Sequence, residues 1–116
     1  MKAILINPEN QTVERIEIGK GVEEIYKAID CRMISAPVTY PNGDTMYCDD
    51  EGLFVEQKGG ILMPNWSYMI VGKILVLGCD EDTGESQDVI TPVNFFRKNI
   101  IWQNQEQVKR YQSHFA

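Results

Sequence analysis

The run IVGKILVL, from Ile70 to Leu77, constrains the fold more than any other stretch of this chain. It is rich in β-branched residues and apolar almost throughout. A strand of that composition belongs at the centre of a sheet, with cover on both faces. Gly72 and Lys73 interrupt the block, and its length is far below what a membrane-spanning helix needs.

The segments around it supply that sheet and its cover. Ala3–Ile6 is a short apolar run, ended by the turn signal Asn7-Pro8-Glu9-Asn10, and Thr12 to Ile18 then alternates. Two such runs around a polar loop predict a β-hairpin. From Gly21 the period changes: Val22, Ile25 and Ile29 fall at i, i+3 and i+7, the face of a short amphipathic helix. Cys31 to Tyr40 reads as extended, with Pro37 confining it to an edge or a strand end. Pro41-Asn42-Gly43-Asp44 is a turn, because Asn and Gly tolerate the positive φ of tight hairpins. Thr45 to Cys48 is the returning strand. The acidic triplet Asp49-Asp50-Glu51 with Gly52 makes the next turn; Leu53-Phe54-Val55 resumes the apolar pattern, and Leu53-Phe54 is expected to re-enter the core. Pro64 and Asn65 mark a loop or the start of a short helix.

Thr91-Pro92 is a fair N-cap and first-turn pair for a helix whose face carries Val93, Phe96 and Ile100. Beyond Trp102 the chain turns to QNQEQ. The reading is therefore α+β: a small single domain over residues 1–102 with a mainly antiparallel sheet. One short helix follows the first hairpin, and one or two helices lie at the C-terminus. Residues 103–116 are a polar tail. Val108, Tyr111 and Phe115, at i, i+3 and i+7, allow a tail helix that docks on the domain or on a second chain, the latter a route to a homo-oligomer; a frayed end is the alternative.

Composition excludes several functions. Seventeen acids against eleven bases give a net charge of -6, which disfavours general nucleic-acid binding and suits contact with a basic partner surface. The three cysteines, Cys31, Cys48 and Cys79, show no C-x-x-C spacing, and the single histidine is His114. A disulfide framework and a His/Cys zinc site are both unsupported, and reduced thiols in a soluble, cytoplasmic protein fit better. Neither acidic knot keeps the register of a calcium loop. Counting from Asp80, position 5 is Gly84 and position 12 is Thr91; counting from Asp49, position 5 is Leu53 and position 12 is Gly60. Solvated turn acids are the expectation, with no metal and no cofactor. Ser-His-Asp or Cys-His chemistry lacks a base, and the nucleophile elbow, phosphate loop and dinucleotide fingerprint are all absent. The chain reads as a non-enzyme.

What remains is surface recognition. Met63 to Tyr68, MPNWSY, places Asn65, Trp66 and Tyr68 in a predicted loop, the chemistry that stacks on a planar ligand or anchors a partner. A core-capping role for Trp66 and Tyr68 is the plainer reading. Arg32, Arg97 and Lys98 are the cations available for an anionic ligand.

The order KAILINP, short helix, YCDDEGLF, MPN, IVGKILVLGCDEDTG and DVITP resembles a group of short bacterial and bacteriophage proteins catalogued as a domain of unknown function. The resemblance covers Met1 to Asn99 and leaves the Gln-rich tail outside. It implies a phage or mobile-element setting and a role in binding: acting on a host protein or a host defence pathway, or sequestering a small signalling nucleotide. A metal-dependent hydrolase built on the acidic turns is the third alternative.

Overall fold

A computed structural model describes residues 1–115. The chain opens with a hairpin, β1 (Lys2–Asn7) and β2 (Thr12–Glu17), in register from Lys2 opposite Glu17 to Asn7 opposite Thr12. Helix α1 (Val22–Ile29) follows and ends on Asp30 in the left-handed region, φ 52°. Strands β3 (Ile34–Thr39) and β4 (Thr45–Asp49) form a second hairpin around the Pro41–Asp44 turn. Then come β5 (Gly60–Leu62), β6 (Ile70–Val71), β7 (Ile74–Cys79) and the short β8 (Ser86–Gln87). Helix α2 (Val93–Asn99), β9 (Ile101–Gln103), α3 (Gln105–Gln112) and a 3-10 turn at Ser113–Phe115 complete the described chain.

The main sheet runs β2-β1-β7-β4-β3, with β8 paired to β7, and a smaller sheet runs β6-β5-β9. Every pairing is antiparallel. Both sheets depend on a break inside the apolar run from Ile70 to Leu77, which divides it into β6 and β7. Gly72 makes the break at φ 82°, where a Cβ would stand 2.8 Å from Gln57 Oε1. The Gln57 amide can swing aside, but an L side chain resists that backbone, so glycine there hands one continuous run to two different sheets.

The expected central strand is β7, buried from Ile74 to Gly78. Ile74 and Val76 face one core with Ile4, Ile6, Val13, Met46 and Phe96. Leu75 and Leu77 face the other, against Ala3, Ile25 and Ile29. The molecule is thus layered: α1 on one face of the main sheet, the small sheet and α2 on the other. Two-sided cover explains why β7 shows no polar alternation.

Strand β3 changes faces midway. Ile34 packs with the α1 core and Val38 with the opposite one, although their numbers differ by four. The cause is one extra residue: Ser35 pairs with Cys48 while Val38 pairs with Met46, so the register shifts between them. Such a bulge reverses side-chain parity and spoils an exposed edge for further pairing, as does Pro37 within it.

Several expectations need correction. Leu53 and Phe54 do not join either core. They sit on an irregular segment between β4 and β5, and Phe54 is 73% exposed. Val22, at the first turn of α1, is exposed too, while Ile25 and Ile29 carry the packing. Thr91 is not the N-cap of α2: Pro92 holds that position without a side-chain cap. The Thr91 hydroxyl instead accepts from Asn42 Nδ2 at 3.0 Å and its N–H donates to Asp44 Oδ2 at 2.7 Å. The tail is partly built in. Gln103 is buried in β9 opposite Gly60, α3 has a reciprocal capping box between Asn104 and Gln107, and Val108 is fully buried.

Candidate functional site: an aromatic surface beside the second hairpin

The MPNWSY segment is shaped by its own sequence. The Trp66 N–H donates to Met63 O at 3.1 Å, and Asn65 lies at φ 71°. Proline followed by a positive-φ asparagine is the chemistry of a type II turn, so Asn65 is accounted for by backbone geometry. The turn projects Trp66 and Tyr68 onto one another, with ring centroids 5.2 Å apart and planes 12° from parallel. Trp66 is half-buried against the core, and Tyr68 is 38% exposed.

Beside this pair lie Tyr40 and Phe95. Their rings meet edge to face at 6.0 Å, and Phe95 in turn meets the fully buried Phe96 at 5.3 Å. The Tyr40 hydroxyl donates to Met63 Sδ at 3.6 Å. Burial, with a smaller contribution from the neighbouring Tyr68, pushes the Tyr40 phenol above its ordinary pKa. The aromatic groups therefore grade from core to solvent: Phe96 is closed off, Tyr40 is half-covered, and Phe95 and Tyr68 are open.

The three cations do not gather around this surface. Arg32 is held by Glu51, Nη2 to Oε2 at 2.9 Å, in an exposed ion pair. Arg97 donates to Val13 O from Nε at 3.2 Å and from Nη2 at 2.8 Å, closing off a carbonyl of the edge strand β2. Lys98 is exposed on α2. Arg97 thus protects a sheet edge, a role that depends on a contact 84 residues away and leaves no local signal.

The acidic knots are turns. Asp49 Oδ1 accepts from the Glu51 N–H at 2.9 Å, and Asp80 Oδ1 accepts from Asp82 and Thr83 N–H at 2.8 and 3.3 Å. Among the described residues, no group of three or more His, Cys, Asp or Glu is arranged to hold a metal ion. Burial is the main cause raising the Cys48 thiol pKa, and it pushes Cys31 up to about 11.

One acid does structural work that the sequence hides. Asp44 is fully buried, and its carboxylate accepts from the Ile90 and Thr91 N–H groups. It ties the second hairpin to the approach of α2 and so holds Phe95 beside Tyr40. Its Asn-Gly-Asp setting signalled only a turn. Nothing local points to partners 46 and 47 residues away.

The fold and surface define an α+β domain with an open aromatic face. A family model described as a domain of unknown function, DUF3846, matches residues 1–116, and the chain belongs to that family. The match includes the tail that the motif resemblance left outside. No curated protein and no solved structure matches the chain. Among the described residues, no helix is long and apolar enough to cross a membrane.

Proposed function

We propose that the chain is a non-enzymatic binding protein that engages a protein partner through Trp66, Tyr68 and Phe95. The partner is a host protein or a component of a host defence pathway, in keeping with the phage or mobile-element setting that the sequence motifs suggest. One observation carries this reading: a type II turn holds the exposed Tyr68 ring flat on the half-buried Trp66, next to a further exposed aromatic ring. Aromatic side chains fixed in this way are the residues that dominate binding energy at protein interfaces, since they offer large area at low entropic cost. Net acidity suits a basic partner. The nucleotide-sequestering alternative is served less well, because a phosphate needs convergent donors while Arg32 and Arg97 are engaged elsewhere.

Photo-crosslinking tests the proposal. Replacing exposed Ser67, the residue that separates Trp66 and Tyr68 in the chain, by a photo-crosslinking amino acid should trap one discrete partner in host lysate. The same replacement at Thr83, in the Asp80–Glu85 turn, should not. Equal trapping from both positions, or none from position 67, would reject the aromatic surface as the binding face.

A further inference from the structure

A cleft of about 270 Å³ opens where the aromatic surface meets the tail helix. Its walls include Tyr68, from the turn after β5, and Tyr111, from α3; Met69 and Val71 contribute apolar surface, and Asp49 and Asp50 are its charged residues. No lysine or arginine lines it. Of the cations on neighbouring segments, Arg32 is paired with Glu51 and Arg110 with Glu106 one turn earlier on α3, while Lys109 lines the adjoining hollow with Leu53.

The two acids are not equivalent. Asp49 is committed to its turn, accepting from the Glu51 N–H and from Gln57 Nε2 at 3.4 Å. Asp50 is anchored only by its backbone, its N–H donating to Met33 O at 2.9 Å, and among the described residues no donor holds its carboxylate. An exposed, unengaged carboxylate thus stands at a cleft walled by two tyrosine rings. Aromatic faces attract cations, and a guanidinium adds what an ammonium lacks: a flat, weakly hydrated surface that stacks on rings while its fork meets a carboxylate. A cleft of this volume has room for a single long side chain.

We infer that this cleft receives an arginine side chain presented by a basic segment of the protein partner, stacked against Tyr68 or Tyr111 and paired with Asp50. The inference rests on the partner-binding reading above and deepens it by naming the chemistry recognised. The two fail separately: the reading fails on crosslinking from position 67, whereas the arginine site fails on the titration below, which needs no partner.

The test is an NMR titration of the full chain with N-acetyl-arginine amide. N-acetyl-citrulline amide, nearly identical in shape but uncharged, is the control. The expected result is a saturable set of shifts confined to Asp50, Tyr68, Val71 and Tyr111, with citrulline binding weaker by about threefold to tenfold, the range for losing one partly exposed charged contact. Asp50→Asn, a surface change that leaves the backbone anchor in place, should weaken arginine binding by a similar factor and flatten its salt dependence. Equal shifts from the two probes overturn the site, as does an unaltered affinity in Asp50→Asn. Tyr111 signals that move with protein concentration rather than with the probe would show a second copy in the cleft and likewise overturn it.

Discussion

Phe96 and Tyr68 stand at opposite ends of one run of aromatic contacts. Phe96 is fully buried, packed edge-on to Phe95 and Tyr40, and joins the main sheet, the small sheet and α2 in a single core. Tyr68 lies flat on Trp66 at the surface, held there by a turn rather than by surrounding side chains. The contrast separates two uses of the same residue class. A ring enclosed on all sides contributes stability. A ring laid on a rigid support and left open contributes little to folding and is available for binding.

Substitutions across that gradient should separate sharply. Phe96→Ala is expected to cost about 3–5 kcal/mol, the range for emptying a fully enclosed aromatic site, and urea denaturation measures it directly. A loss under about 1 kcal/mol would mean that the layers collapse around the gap. Asp44→Ala comes next, at about 2 kcal/mol, because the Ile90 and Thr91 N–H groups lose their acceptor while remaining partly buried. Its distinctive sign is faster amide exchange at residues 90 and 91, which Asp44→Asn should restore in part. Tyr68→Ala should cost less than about 1 kcal/mol, having one stacked contact to lose. Phe54→Ser, on the exposed segment after β4, should fall within about 0.5 kcal/mol of wild type. A large loss there would restore Phe54 to the core.

The thiols sharpen the comparison in a different way. Cys31, raised to about 11, and Cys48, also raised, remain protonated at pH 8, so they should label slowly with a thiol-specific disulfide reagent until the chain unfolds. A folded pKa above the unfolded value gives stability that is complete below about pH 9 and lost as pH rises towards 11. Melting temperature should fall across that window, and by less in Cys31→Ser. An unchanged pH profile in that variant would show that Cys31 is not the group responsible.

Much of the architecture was legible because it follows from local pattern. The Ile70–Leu77 block demanded a buried strand, alternation set the first hairpin, and the i, i+3, i+7 spacing set α1. Less visible was whatever depends on distant partners. The IVGKILVL run looked like one strand because Gly72 is a single residue, yet its positive φ divides two sheets. Phe54 looked like a return to the core because apolar runs usually are one, but Gly52 and the Asp49 turn direct the chain outward instead. Trp66 and Tyr68 were identifiable as a surface candidate from Pro64-Asn65. Their neighbours Tyr40 and Phe95 were not, since Asp44 brings those segments together across half the chain.

Tyr68→Ala, measured for melting temperature and partner crosslinking in the same preparations, tests the central claim most directly. The expected result is a melting temperature within about 6 °C of wild type, the shift that 1 kcal/mol produces in a domain near this size, together with loss of the crosslinked partner. A fall in melting temperature as large as that of Phe96→Ala, with crosslinking retained, would make Tyr68 a lid on the core and contradict its role in binding.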